Sequence, residues 1–356
     1  MKWLNALLIF LPLAVYLEVT GGDPTLIFVS AALAILPLAG IMGQATEQLA
    51  VRAGSTVGGL LNATFGNATE LIIAFFALSA GKLEVVKASI IGSILGNLLL
   101  VMGLAVLLGG LKHKEQRFNL KSAGTISSLL VISVIALMIP TIFDLAARAV
   151  APERVAALDV NLSDAAAVVL ILVYVGYIYF TLVSHRDILS ATDDEDEHEG
   201  PLWSVALAVG VLAAATVAVA FMSEFLVGTL EAATASLGLT EFFVGLILIP
   251  IIGNAAEHAA AVMFALRNKM DLSMTISLGS TVQVALLVAP LLVLAGVIVG
   301  QPMNLVVTPL ELAAIFAAVI IANSVVRDAE TNWLEGLLLL SVYLILSFAV
   351  FFYPVA

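Results

Sequence analysis

No cysteine occurs among the 356 residues. That excludes disulfides, iron–sulfur clusters and thiolate metal sites. Charge is scarce as well: Asp, Glu, Lys and Arg together make up 11%, against roughly a quarter in soluble domains. A water-facing globule could not cover its surface with so few polar groups. Basic residues are the scarcer sign, 14 against 26 acidic, for a net charge of −12. No basic face is therefore available for nucleic acid. What fills the chain is apolar side chain, 62% of residues, with a mean hydropathy of +1.14. The same figures exclude a disordered chain. A polytopic helical membrane protein, partnered by the lipid bilayer, is what remains.

A membrane span needs about 20 mostly apolar residues. Eleven stretches qualify: 2–19, 24–48, 57–80, 84–110, 121–146, 162–184, 201–231, 240–266, 272–300, 306–325 and 333–354. No small-residue cleavage site follows the first before Glu18, so it reads as a span rather than a signal peptide. The loop after the fourth stretch carries Lys112, Lys114, Arg117 and Lys121, which places it in the cytosol. Alternation then puts Lys2, Arg52, Arg186, Arg267, Lys269 and Arg327 on the same side, and Lys82, Lys87, Arg148 and Arg154 opposite. The expected topology is N-terminus inside, C-terminus outside, in the plasma membrane of a prokaryote.

The strongest signal is an internal repeat. Residues 66–70 read Gly-Asn-Ala-Thr-Glu and residues 253–257 read Gly-Asn-Ala-Ala-Glu, an offset of 187. Without a gap, the same offset matches Lys82 to Lys269, Glu84 to Asp271, and Gly92-Ser93 to Gly279-Ser280. Across 66–93, eight of 28 positions are identical. Apolar composition inflates chance matches of Ala and Leu, but not of Asn, Glu and Lys. Five spans per repeat is an odd number, so the repeats face opposite ways in the bilayer, a transporter signature with the substrate site near the midplane. The expected fold is an all-α membrane protein of eleven transmembrane helices: two inverted five-helix repeats plus one extra N-terminal helix. Its divisions are the extra helix at 1–23, the first repeat at 24–184, an acidic cytosolic linker at 185–200 and the second repeat at 201–356.

Glu70 and Glu257 fall near the centres of their spans, where a carboxylate costs on the order of 2.5–3.5 kcal/mol on insertion scales. A matched pair at that depth points to function. Asn67 and Glu70 are spaced to share a helix face, as are Asn254 and Glu257. Each motif opens with a glycine, Gly66 or Gly253, and Pro250 precedes the second. These residues point to a break or kink that frees carbonyls toward a cavity. Ser93 and Asn97 in the fourth span, and Ser280 and Gln283 in the ninth, are polar positions in apolar runs. Asn97 and Gln283 read as site-lining; for the two serines, site lining and helix glue stay open. Every candidate donor is oxygen, which suits a hard cation such as Ca²⁺.

The stretch from Gly58 to Glu70, ending Gly-Asn-Ala-Thr-Glu, resembles the first signature of the cation/proton exchangers, the CAX branch of the calcium/cation antiporters. Gly245 to His258, ending Gly-Asn-Ala-Ala-Glu-His, resembles the second. The resemblance covers nearly the whole chain, including the acidic segment between halves. It implies Ca²⁺/H⁺ antiport with Glu70 and Glu257 as central ligands and proton carriers, and with no cofactor beyond the transported ion. Gln283 stands where the sodium/calcium branch usually has an aspartate. One departure is Gln44, where the family often has a glutamate.

Two carboxylates in one dry cavity repel when both are ionised, so the site tolerates Ca²⁺ or protons but not vacancy. A carrier that reorients only when neutralised exchanges the two. Glu47 and Glu231 each stand seven residues before a glycine, Gly54 and Gly238, and read as repeat mates. With Glu224 they are candidates for guiding ions at the entrances, or else plain interfacial charges. His258 adjoins Glu257 and could relay protons, although neighbours on a helix point apart. The run Asp-Asp-Glu-Asp-Glu-His-Glu at 193–199 reads as a solvated linker; the alternative is a calcium-attracting segment.

The rival functions are a sodium/calcium-type exchanger and a passive divalent cation channel. An enzyme is not expected, since no His-Glu-x-x-His, Gly-x-Ser-x-Gly or nucleotide-binding glycine loop occurs. Self-association into a homo-oligomer is left open by the residues.

Overall fold

A computed structural model describes residues 4–184 and 203–354. The acidic run at 193–199, Lys2 and Arg186 lie outside the described residues. Helix α1 covers Phe10–Thr20, preceded by a 3₁₀ segment Leu4–Ile9. Gly21 ends it in the left-handed region at φ 66°, which glycine adopts without cost. Asp23 then caps α2, Pro24–Phe65, with Pro24 in the first turn. Helix α2 bends at Gly54, whose φ of 80° and ψ of 168° lie outside helical space.

Then come α3, Ala68–Ser79, and α4, Leu83–Leu95. A π-helical stretch Gly96–Val101 joins α4 to α5, Met102–His113. Helix α6 is Leu120–Ala147, and α7 is Val155–Tyr179 with a π-helical end, Phe180–Ser184.

In the second half, α8 is Val205–Gly228 and the short α9 is Leu230–Leu237. Helix α10, Glu241–Phe243, runs through a π-helical stretch Val244–Leu248 into α11, Ile249–Gly253. Helix α12 is Ala255–Leu266. Helix α13, Met270–Gln283, passes through π-helical Val284–Val288 into α14, Ala289–Val299. Helices α15, Pro309–Val326, and α16, Trp333–Phe351, start at capping boxes built on Thr308 and Asn332. Two three-residue strands, β1 Glu115–Arg117 and β2 Glu330–Asn332, pair antiparallel with Arg117 opposite Glu330. They are the one departure from an all-helical chain among the described residues.

Eight helices are long and apolar enough to cross a membrane, or nine if the pair Leu230–Leu237 and Glu241–Gly253, bent by 109°, forms one span. The expected spans at 57–80 and 240–266 are not single helices; each is broken at its motif, between α2 and α3 and between α11 and α12. The expected span at 201–231 also stops short. Thr229 leaves helical geometry, so Glu231 falls on α9 rather than α8.

Burial divides the helices into central and peripheral. In its most apolar 18-residue stretch the segment Leu83–His113 is 83% buried, whereas that of Val155–Ser184 is 17% buried and leaves most of its apolar side chains on the outside. The core is densest along α4 and α5, where Ile91, Ile94, Leu95, Leu98, Leu99 and Met102 are fully buried. Helix α4 crosses the Val244–Leu248 stretch at a point only small residues allow. A Cβ on Gly92 would run into the Leu246 carbonyl, and one on Gly245 would lie 3.0 Å from Ala88.

Contacts between the halves sort onto two faces. On one face Lys82 meets Glu231 and Glu241, and Lys87 reaches Asn304 and the Val306 carbonyl. On the other, Lys112 and His113 bond the Leu266 carbonyl, Gln116 bonds Asn268, and Asn119 bonds Asp271.

Candidate functional site

The repeated motif breaks its helix in both halves. Asn67, with φ −95° and ψ 13°, and Asn254, with φ −104° and ψ 11°, precede α3 and α12 without capping them through their side chains. The asparagines therefore stand at the breaks, not inside continuous helices as the spacing suggests, and their amides remain for other partners. Glu70 and Glu257 lie in the first turns of α3 and α12, at the positive ends of these half-helices.

The two breaks cross. A Cβ on Gly66 would lie 3.1 Å from Glu257 Oε1, and one on Gly253 would lie 3.4 Å from Glu70 Cβ. Each glycine thus makes room for the glutamate of the other half. Hydrogen bonds repeat the exchange: Asn254 Nδ2 donates to Ser93 Oγ at 3.2 Å, and Ser280 Oγ lies 3.2 Å from Asn67 Oδ1. The Gly92 crossing sets Ser93 within reach of the opposite half.

Ser280 also lies 2.7 Å from Glu257 Oε2 and accepts from Asn97 Nδ2 at 3.1 Å. Its single hydrogen can go to Glu257 or to Asn67, not both. Asn67 Nδ2 donates to Gln283 Oε1 at 2.8 Å. Asn97 is the second residue of the π-helical stretch Gly96–Val101, and Gln283 directly precedes the stretch Val284–Val288. Such local widening of a helix recurs at functional sites.

The arrangement leaves unspent acceptors. Both oxygens of Glu70 and Oδ1 of Asn254 are buried without a hydrogen-bond partner. Unpaired buried oxygens cost free energy, and a hard cation or protons would satisfy them. Among the described residues no group of three or more His, Cys, Asp or Glu is poised for a metal. The charge at the crossing is that of the two glutamates.

Burial across the site is uneven. Glu70, Asn67, Asn97, Asn254, Ser93 and Ser280 are buried. Glu257 and Gln283 are only partly so, and Asn62, Thr64 and Gly66 beside them are exposed.

The remaining candidates sit apart. Glu47, Glu224 and Glu231 are exposed, and Glu231 pairs with Lys82. His258 is half-buried on α12. Two further residues escape a reading by spacing: Lys82 and Glu241, which bond at 2.7 Å. Lys82 is signalled only by its match to Lys269, and Glu241 by nothing.

A sequence profile of the family described as sodium/calcium exchanger protein matches the chain twice, over residues 24–183 and 207–352. The chain is 47% identical to a Ca²⁺/H⁺ antiporter of Aphanothece halophytica over 362 residues, covering 98% of this chain and 96% of the relative. It is 43% identical to the Ca²⁺/H⁺ antiporter ChaA of Bacillus subtilis (strain 168), covering 96% of each. Among solved structures, native YfkE superposes with a TM-score of 0.85 at 39% identity, covering 98% of this chain and all of that one.

Proposed function

The chain belongs to the sodium/calcium exchanger protein family, and from that premise we propose that it is a secondary active transporter exchanging Ca²⁺ for H⁺ by alternating access. The Ca²⁺/H⁺ antiporters it resembles over nearly their full length support the choice of substrates. The observation that carries the reading is the crossing of the two broken helices, with three buried oxygens on Glu70 and Asn254 left without partners.

Glu70 and Glu257 act as ligands and proton carriers. Asn67, Asn254, Ser93, Ser280, Asn97 and Gln283, with the carbonyls freed at Gly66 and Gly253, complete an oxygen-only shell suited to a hard divalent ion. The pair is neutralised either by Ca²⁺ or by protons, and only the neutralised carrier reorients. Exchange follows without a separate proton channel.

The profile's two matches support a duplicated chain with repeats at 24–184 and 201–356, joined through 185–200 and preceded by a helix at 1–23. Eleven crossings, counting each broken helix as one, account for the sorting of loop contacts onto two faces. Inverted five-helix repeats, N-terminus inside and C-terminus outside, fit that sorting. Glu47, Glu224 and Glu231 stand at the entrances, and His258 is a proton relay candidate beside Glu257.

The test is uptake of radiolabelled Ca²⁺ into proteoliposomes under an imposed pH difference, with and without sodium. Uptake should follow the pH difference and ignore sodium. Glu70→Gln should lower it to background, as should Glu257→Gln. Undiminished proton-coupled flux in Glu70→Gln would overturn the scheme.

A further inference from the structure

Glu70, Asn67 and Asn254 are buried, and only Glu257 and Gln283 of the site are partly exposed, so contacts that keep it covered bear on how it works. Where Lys82 meets the second half, the turn between α3 and α4 puts Gly81 at φ 74°, a value glycine supplies, and Lys82 directly after it. The Lys82 ammonium lies 2.7 Å from Glu241 and 3.1 Å from Glu231. These two acceptors belong to different bodies. Glu241 begins α10, on the segment that runs through the α4 crossing to Asn254. Glu231 lies on α9, an eight-residue helix set off by Thr229 on one side and by Gly238, φ 67°, on the other. Helix α9 follows directly on α8, which packs along α2, and α9 itself rests on α2. Lys82 and Glu241 thus stand on segments that run into the site, while Glu231 stands on α9, which continues α8 and rests on α2.

We propose that Lys82 is a latch: by pairing with Glu231 it ties the α8–α9 end to the site-forming helices and keeps this face closed while the opposite face is open. Glu241 holds the ammonium in place whether or not the latch is engaged. The partner geometry suits a device that must also release. Glu231 is 83% exposed, whereas Lys82 and Glu241 are 26% and 34% exposed. The inner pair is the firmer one, and the outer pair is cheap to break. The latch rests on the alternating-access reading but not on the identity of the cargo.

A chain without cysteine permits a clean test. Ala233, fully buried on α9, is replaced by cysteine as the sole thiol in the full-length protein in lipid nanodiscs. Its modification by a hydrophilic maleimide reports how often α9 lifts. An exposed ion pair of this kind shifts a population by at most about fivefold. Lys82→Gln and Glu231→Gln should each speed labelling about three- to fivefold, and together no more than either alone. Glu84→Gln, which breaks the exposed pair with Lys87 on the same face, should leave the rate unchanged. Rates equal to the parent in both single variants, or the same rise in Glu84→Gln, would overturn the latch. Because Glu231 is exposed, Glu231→Gln keeps the test alive should Lys82→Gln misfold. Ca²⁺ uptake by the parent protein, measured separately, decides the cargo and leaves the latch result standing either way.

Discussion

Gly66 and Gly253 occupy equivalent places in the two motifs, yet their surroundings differ by a few tenths of an ångström. A methyl group on Gly253 would meet Glu70 at 3.4 Å, an ordinary contact. On Gly66 it would stand 2.8 Å from the Asn62 carbonyl and 3.1 Å from Glu257 Oε1, so backbone or carboxylate must yield. Gly66→Ala should therefore cut proton-driven Ca²⁺ uptake about tenfold or more if Glu257 is a ligand, since moving it by a fraction of an ångström disturbs a site held by geometry. Gly253→Ala should stay within about twofold of the parent. Uptake assays on the two variants side by side would check this. The two glutamates that the crossing brings near each other stand out in the amino-acid sequence itself. A glutamate in mid-bilayer is expensive, and two at the same place in a repeat are hard to ascribe to accident. Hydrogen-bond partners are not legible there, because Asn254 finds Ser93 and Asn67 finds Ser280 only once the two halves are crossed.

At the scale of elements, repetition in sequence does not carry repetition in packing. Gly92 and Gly279 are repeat mates, yet a Cβ on Gly92 would collide with the Leu246 carbonyl, while one on Gly279 would meet nothing within 4 Å. Overpacking a helix crossing costs about 1–3 kcal/mol. Gly92→Ala should accordingly lower the thermal midpoint of the purified protein by roughly 5 °C, and Gly279→Ala should leave it unchanged; thermal unfolding in detergent checks both. The apolar runs locate most helices, because burial in lipid needs length and hydropathy and little else. Gly66, Gly253 and Pro250 point to the breaks that open at Asn67 and Asn254, but nothing in the runs locates the one at Thr229, where the backbone departs from helical values without a proline or glycine at the position. The π-helical stretches are equally hidden, for their composition is that of the helices around them.

For the whole molecule, the contacts between halves decide what can move. The carboxylates of Glu241 and Glu231 hold Lys82 above the ordinary lysine range, Glu241 contributing most. A lysine raised in this way is charged below its unfolded-state value and loses its pairing only as pH rises through the folded one. The latch therefore stays engaged across the neutral range. The labelling rate at Ala233→Cys, divided by that of a fully exposed thiol at the same pH to remove the thiolate dependence, should be flat between about pH 6 and 9. Salt is the better lever, because exposed charges are screened within about 10 Å at 0.1 M. Raising ionic strength should speed labelling in the parent and not in Lys82→Gln, a comparison the same maleimide assay provides.

The small β1–β2 ribbon on the opposite face leads to a different consequence. It rivets the loop after α5 to the loop before α16, through backbone pairing and an Arg117–Glu330 ion pair at 2.8 Å. If the transport stroke belongs to α2 and α8, these loops are part of the stator. A covalent bolt across them, Arg117→Cys with Glu330→Cys, should then be silent: oxidised and reduced protein would carry Ca²⁺ at the same rate. A stall on oxidation would mean that the machine turns about some other axle.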